Sequence, residues 1–193
     1  MTSQLPTSGI RPNPTGDRPQ IDPTAFVDPS AQIVGNVVVG PRVFVGPLAV
    51  IRADEAAPTG RVLPIVIEED ACIQDGVVIH SRAGAEVRIG PRCNISHGAV
   101  VHGPAAIKAD SFVAIRAVVY DAVLGESVWV GVWAVVMRAS VPANTWIPAG
   151  SVIRSNQETK QFRLVDLKDQ KNNKDIYDAT SALRASYLKL YGS

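Results

Sequence analysis

The stretch VDPSAQIVGNVVVGPRVFVGPLAVI, from Val27 to Ile51, places an aliphatic residue at every sixth position. These positions are Val27, Ile33, Val39, Val45 and Ile51. An α-helix cannot keep such residues on one face, because six steps of about 100° turn a side chain ~120° away from its starting direction. Short strands separated by tight turns can. The stretch therefore predicts a coil of short β-strands with one aliphatic side chain per strand in an internal column.

The same six-residue phase returns in two later blocks. The first block contains Ile67, Ile73 and Ile79 and then, after a pause, Ile89, Ile95, Val101, Ile107, Val113 and Val119; the second contains Leu124, Val130 and Val136, followed by Ile147 and Ile153. Small or polar residues follow many of these aliphatics, as in VVVGPR and VRIGPR, which suits corners of the backbone. The alternative is an antiparallel β-sandwich, whose strands would alternate with period two. We predict an all-β solenoid.

The composition differs on the two sides of the repeat. Residues 1–20 are rich in Pro, Thr, Ser and Gly, which predicts a flexible N-terminal arm before a repeat domain over residues 21–155. In the segment 156–193 the hexad is lost, and helical spacing appears. The residues with this spacing are Ile176, Ala179, Leu183 and Tyr187. We expect a C-terminal α-helix that packs on the solenoid of its own or a neighbouring subunit, with a partner-binding element as the alternative.

The overall composition narrows the classes of partner. The 193 residues include 19 basic and 18 acidic side chains, and without a basic block we expect neither nucleic acid nor an anionic membrane as a partner. The N-terminus lacks a signal-peptide core, and no apolar run approaches the ~20 residues of a membrane span. We expect a soluble, cytoplasmic protein. Cys72 and Cys93 are expected to be free thiols, with a disulfide as the alternative.

The chain has only three histidines, and all three lie close together in the sequence. His80 follows Ile79 and His102 follows Val101, so both stand one position after a hexad aliphatic. Their separation, 102 − 80 = 22 residues, equals three hexads plus a four-residue insertion. If three hexads make one turn, the two imidazoles share one face of adjacent turns, which lie ~4.8 Å apart. That spacing allows both to bind one metal ion.

The third histidine, His97, follows Ile95 by two positions and should project near a corner, away from the first pair. It would reach the same metal most easily from a neighbouring subunit. Three neutral histidines with an open fourth position suit catalytic Zn²⁺, and Fe²⁺ or Co²⁺ would also fit. The ordinary alternative for each histidine is a solvated surface residue.

Four segments resemble the γ-class carbonic anhydrases, which are left-handed parallel β-helices of hexapeptide repeats that form homotrimers. These segments are IRADE (51–55), IQDGVVIH (73–80), SHGAVVHGPA (96–105) and WIPAGSVI (146–153). The resemblance implies a metal held by His80 and His102 of one subunit and His97 of the next. It implies an activity as well: reversible hydration of CO₂ to bicarbonate by metal-bound hydroxide.

The resemblance extends to residues around the metal. Arg52, Asp54 and Asp75 match the family's interface ion-pair group. Gln74 matches the glutamine that hydrogen-bonds the metal-bound oxygen, and Glu55 matches a glutamate beside the active site. Each of these side chains taken alone has a plainer explanation as a solvated surface charge or amide.

The sequence also departs from the family pattern. Ala83 stands where active members carry a proton-shuttling glutamate, so proton transfer would depend on Glu55, water or buffer. Thr180 stands where the family often places an asparagine, and the loop 55–64 is longer than usual. Two other functions stay open: a structural or assembly protein that keeps the metal site, and a hexapeptide-repeat acyltransferase or thioesterase.

Overall fold

The computed structural model describes residues 9–191 and forms a left-handed parallel β-helix with one C-terminal helix, which confirms the predicted fold class. The strands are β1 (Ile10–Arg11), β2 (Gln20–Ile21), β3 (Phe26–Val27), β4 (Gln32–Gly35), β5 (Val37–Val39), β6 (Phe44–Val45), β7 (Val50–Ala53), β8 (Ile65–Ile67), β9 (Cys72–Ile73), β10 (Val78–Ser81), β11 (Val87–Ile89), β12 (Asn94–Ile95), β13 (Val100–Ile107), β14 (Phe112–Val113), β15 (Val118–Leu124), β16 (Trp129–Val130), β17 (Val135–Met137), β18 (Ser140–Val141), β19 (Trp146–Ile147) and β20 (Val152–Ile153). A 3₁₀ helix, Glu158–Gln161, and the α-helix α1, Leu167–Tyr191, follow.

The strands stack into two sheets around the coil. A seven-stranded sheet in the order β19-β16-β14-β12-β9-β6-β3 forms one face, and a thirteen-stranded sheet covers the rest. The long strands β13 and β15 join the two halves of the larger sheet, and every pairing between named strands in residues 9–191 is parallel. Stacked turns therefore keep equivalent residues in register.

The hexad aliphatics form the core. Those from Ile33 to Ile153 are at most 1% exposed, as the repeat predicts, and Val27 is partly buried. Each such side chain contributes ~1.5–3 kcal/mol relative to full exposure. The corners turn sharply enough that even bulky residues enter the left-handed region: φ is 58° at Leu48 and 59° at Trp133.

The segment before residue 21 is partly described. Residues 1–8 of the expected flexible arm lie outside the described residues, whereas β1 pairs with β4 of the next turn. The Asn13 side chain accepts from the backbone N–H groups of Thr15 and Asp17 and donates to the Ala53 carbonyl at 3.1 Å. Composition alone does not predict that this segment is ordered, because the order depends on hydrogen bonds made by a single side chain, that of Asn13.

Helix α1 lies against the seven-stranded sheet. Asp166 caps it by accepting from the N–H groups of Lys168 and Asp169, each at 2.9 Å. The Tyr177 hydroxyl donates to Asp70 at 3.0 Å, and the Tyr187 ring stacks on Phe26 with centroids 4.9 Å apart. The helix is therefore attached by polar and aromatic contacts. In residues 9–191, no helix combines the length and apolar character needed to cross a membrane.

The face of α1 that meets the sheet agrees only in part with the expected one. Ile176 and Tyr187 are partly buried, but Ala179 and Leu183 are exposed. Besides Tyr187, the contacting side chains are Asn173, Tyr177, Thr180 and Arg184. An apolar pattern could not reveal this face, because the sheet offers hydrogen-bonding groups to the helix.

The two cysteines are free thiols, as expected, and both are buried. Burial raises the pKa of Cys72 and of Cys93 to about 12. Both thiols are therefore protonated at neutral pH and unsuited to binding metal.

Candidate metal centre

His80 and His102 lie side by side on the outer face of the larger sheet. Strands β10 and β13 are adjacent, and their register pairs Ile79 with Val101 and His80 with His102. His80 Nδ1 is 3.3 Å from His102 Nε2, and the ring centroids are 5.1 Å apart. This is the placement on adjacent turns that the hexad phase predicts. Their role as metal ligands remains a prediction.

The other nitrogen of His80 faces two carboxylates. Its Nε2 atom is 3.5 Å from Asp54 Oδ1 and 3.5 Å from Glu55 Oε1. Both His80 Nε2 and Asp54 Oδ1 are buried without a hydrogen-bond partner in the described chain. Burial first, and the charge of Arg52 second, lower the pKa of His80, while the two carboxylates oppose this shift. The imidazole is thus neutral near pH 7, the form in which histidine binds metal ions.

The acidic residues beside His80 are held in place. Arg52, which pairs in register with His80, donates to Asp54 at 2.8 Å. Glu55 Oε2 accepts from the backbone N–H of Ala83 at 3.1 Å. Glu55 is therefore fixed to the short turn after β10.

His97 belongs to a second cluster, on the corner after β12. Its side chain is 53% exposed, and its Nδ1 atom is 3.4 Å from Asp75 Oδ2. The neighbouring Gly98 N–H donates to the Asp75 carbonyl at 2.9 Å. Gln74 Nε2 donates to the Thr180 hydroxyl of α1 at 3.1 Å. His97, Gln74 and Asp75 thus share one edge of the coil with Thr180.

The eight predicted site residues therefore form two groups within one chain. The first contains Arg52, Asp54, Glu55, His80 and His102, and the second contains Gln74, Asp75 and His97. Residues 9–191 of a single chain contain no group of three or more His, Cys, Asp or Glu side chains able to hold a metal ion. His80 Nδ1 and His102 Nε2, which converge to 3.3 Å, fit a divalent metal, but a third donor must come from elsewhere.

Two features beside the first group were not predicted from the sequence. Tyr120 on β15 pairs in register with His102 on β13, and their rings stack with centroids 5.1 Å apart. Valines also stand one position before the hexad aliphatics on this face and point outward. This outward valine row contains Val50, Val78, Val100, Val118, Val135 and Val152. Both could have been predicted from the hexad repeat, since Tyr120 stands one position after a hexad aliphatic and each of these valines stands one position before one.

Comparison with known proteins was made for the sequence and for the fold. No protein-family model matches the sequence. Over 169 residues the chain is 33% identical to a carbonic anhydrase from Methanosarcina thermophila, a match that covers 78% of this chain and 66% of that protein. It is 32% identical to the carboxysome assembly protein CcmM from a Nostoc species, over 88% of this chain and 31% of that protein. The chain thus spans about two thirds or less of the length of these relatives.

The fold resembles that of solved hexapeptide-repeat structures. A candidate acetyltransferase from Bacillus cereus superposes with a TM-score of 0.79, covering 94% of this chain and 97% of that one. At 22% identity this similarity concerns the fold alone. The sequence matches are more specific, because they join this fold to a carbonic anhydrase. The chain belongs to the γ-class carbonic anhydrase family of left-handed β-helix proteins.

Proposed function

We propose that the protein catalyses the reversible hydration of CO₂ to bicarbonate at a metal site shared between two subunits. The observation that carries this proposal is the division of the site into two incomplete groups. His80 and His102 converge on one face, whereas His97 stands with Gln74 on another edge. Each group lacks what the other offers, so a second copy of the chain would complete a three-histidine site.

The outward valine row supports self-association beside His80 and His102. A row of aliphatic side chains along a flat parallel face is an apolar surface that a partner would bury. A contact between this face of one copy and the His97 edge of the next is head-to-tail, and such contacts form a ring when the rotation between copies closes. We propose a homotrimer, in which each of the three interfaces would hold one metal.

The donor set indicates which metals would suit the site. His80 and His102 of one subunit and His97 of the next would hold Zn²⁺, Fe²⁺ or Co²⁺. When bound, such a metal supplies Lewis-acid activation of water near pH 7, which the hydration of CO₂ requires.

The remaining residues have positioning and proton-transfer roles in this proposal. Gln74, held by Thr180, orients the reacting oxygen through its amide. Glu55 lies against His80, is 47% exposed and can pass a proton to buffer. Arg52, which is fixed by Asp54, would reach Asp75 of the next subunit and orient the two copies. Because Ala83 stands where a proton-shuttling glutamate would be, we expect proton transfer to limit turnover at low buffer concentration.

The test is stopped-flow CO₂ hydration by protein loaded anaerobically with Fe²⁺ or with Zn²⁺, with metal content measured on the same samples. Parent protein should hydrate CO₂ rapidly with about one metal per chain, and His102→Ala should lose both metal and activity. Lys108→Ala, an exposed change on β13's trailing turn, is the matched control and should retain both. A fully metallated trimer that hydrates no CO₂ would contradict the proposal.

A second candidate function is assembly. It is favoured by the match to CcmM, a carboxysome assembly protein, over 88% of this chain. In that case the metal would stabilise the trimer without supporting rapid hydration. The metallated but inactive outcome described above would favour this function.

A further inference from the structure

Tyr120 belongs to a column of side chains that also contains both histidines of the first group. The strand register aligns six outward positions on successive turns, each one residue after a hexad aliphatic. From β4 to β17 these positions hold Val34, Arg52, His80, His102, Tyr120 and Met137. His102 therefore has His80 on one side and Tyr120 on the other.

The two neighbours of His102 meet its imidazole in different ways. Its ring centroid is 5.1 Å from that of His80 and 5.1 Å from that of Tyr120. The interplanar angle is 70° with His80 but only 26° with Tyr120. The ring of Tyr120 thus covers one face of the imidazole, whereas the two histidine rings meet nearly at right angles, with nitrogen toward nitrogen.

The rotation of the His102 ring decides which of its atoms faces His80. In the observed orientation Nε2 is 3.3 Å from His80 Nδ1, and Nδ1 is 3.1 Å from the Gly103 carbonyl oxygen. A carbonyl oxygen only accepts, so this contact makes Nδ1 the N–H of the neutral ring and leaves the lone pair on Nε2. Two nitrogens bound to one tetrahedral Zn²⁺ at ~2.0–2.1 Å stand ~3.3–3.4 Å apart. The observed spacing of the two nitrogens therefore suits one ion.

An imidazole on the outer face of a sheet needs a neighbour to keep such an orientation. The χ2 torsion of histidine is broad and lacks the three sharp staggered wells of aliphatic side chains, and His102 is only partly buried. Tyr120 can supply this support because β15 lies between β13 and β17. Its carbonyl also accepts from the N–H of Arg138 at 3.0 Å. The ring that covers His102 thus stands on a fixed backbone.

We propose that Tyr120 is a positioning residue of the metal centre, whose ring holds the imidazole of His102 so that Nε2 faces His80 Nδ1. The ring carries this role, because the ring makes the contact. The ordinary alternative is a cross-strand pair that only stabilises the coil. The metal to be bound rests on the proposed function, whereas the orientation of His102 does not.

The small number of histidines allows a test without metal. Nuclear magnetic resonance of protein with isotope-labelled histidine shows the rings of only three residues, and His102→Ala identifies the signal of His102. At a pH where the imidazoles are neutral, we expect His102 of the parent to be the Nδ1–H tautomer. Tyr120→Leu should give a mixture of tautomers, because the ring can then turn, whereas Tyr120→Phe should match the parent. Both residues belong to one chain, so this measurement does not depend on the oligomeric state.

The second measurement is Co²⁺ affinity, from visible absorption in competition with a chelator. Partners that orient a metal ligand typically contribute roughly 10–100-fold in affinity, so Tyr120→Leu should bind Co²⁺ at least about tenfold more weakly than the parent. Tyr120→Phe should bind like the parent. Met137→Leu is the matched control, because it changes the next side chain of the column, one turn beyond Tyr120, and it should also bind like the parent. Tyr120→Ile is a second variant if the leucine does not pack, and thermal unfolding and sedimentation check each protein.

Three results would overturn the inference: an unchanged tautomer in both aliphatic variants, parent-like Co²⁺ affinity in both, or a phenylalanine variant as impaired as the leucine variant. These outcomes are separate from those of the proposed activity. CO₂ hydration with parent-like Co²⁺ affinity in the aliphatic variants would reject the role of Tyr120 and leave the enzyme. A changed tautomer and weaker Co²⁺ binding in the variants of a protein that hydrates no CO₂ would keep the role of Tyr120 and reject the enzyme. If the parent binds no Co²⁺, the shared metal site is rejected and the tautomer alone decides the role of Tyr120.

Discussion

Gln74 and Thr180 are 106 positions apart in the chain, yet Gln74 Nε2 donates to Thr180 Oγ1 at 3.1 Å. The Thr180 hydroxyl in turn donates to the Ile176 carbonyl of its own helix. This short chain of hydrogen bonds connects α1 to the edge that carries His97. The helix thus fixes the amide orientation of Gln74.

Removing the Thr180 hydroxyl should therefore affect activity more than folding. Thr180→Val keeps the shape of the side chain but leaves Gln74 without its acceptor, and we expect kcat to fall by about one order of magnitude, equivalent to a lost hydrogen bond of ~1.4 kcal/mol. Thr159→Val is the matched control, because Thr159 is equally buried and donates to Asn156 away from the site. Equal losses of kcat in both variants would contradict a positioning role.

Mixing two inactive variants tests the shared site directly. His97→Ala chains keep the His80 and His102 pair, while His102→Ala chains keep His97. In an equal, randomly assembled trimer about a quarter of the interfaces would regain all three histidines, so activity and metal should return to about that level after co-refolding. A mixture of His80→Ala with His102→Ala should recover nothing. A site built within one chain would show no recovery in either mixture.

The outward valine row should be the surface that holds the copies together. Val100→Asp places a charge in the middle of this row, beside His102 on β13, and we expect dissociation to monomers in sedimentation experiments. Val123→Asp introduces the same charge on β15, next to Ser140, where the side chain is 40% exposed. That control should remain oligomeric. Dissociation by Val123→Asp but not by Val100→Asp would contradict the prediction that the outward valine row forms the interface.

The attachment of α1 should weaken in acid. The Arg42 guanidinium, which donates to both carboxylate oxygens of Asp70, is the main cause that lowers the pKa of Asp70 below its usual 3.8, and Tyr177 adds to it. Because the folded pKa is below the unfolded one, this stability is present above the unfolded pKa and is lost as the pH falls through the folded value.

Asp70→Asn should reproduce that loss at neutral pH. The variant should unfold more easily than the parent near pH 7, and the difference should shrink in acid as Asp70 of the parent becomes protonated. Amide hydrogen exchange in α1 should be faster in the variant, since Tyr177 loses a charged acceptor. Asp121→Asn, on β15, is the control and should leave the exchange of α1 unchanged. A difference that grows in acid would contradict this account.

The sequence predicted the solenoid because its hexad repeats are local, and the hexad aliphatics from Ile33 to Ile153 are buried as expected. The same phase placed His80 beside His102. It could not identify the face of α1 that meets the sheet, since Tyr177 and Arg184 bind by hydrogen bonds to Asp70 and the Thr24 carbonyl instead of by an apolar stripe. The sequence also could not predict that the buried side-chain amide of Asn94, on β12, has no hydrogen-bond partner in the described chain, because a strand sequence does not show which buried amides are paired.

The parallel register of the coil determines which insertions and deletions the protein can tolerate during evolution. A turn that follows β15 in the chain can be duplicated or lost without altering the relative position of His80 and His102, since each turn pairs only with the turns next to it. A single residue inserted inside β10 or β13 would instead shift one of them out of register, whereas the turn after β10 already absorbs four residues beyond three hexads. The lengths of the coil and of its turns are therefore free to vary, while the pairing of these two strands is not.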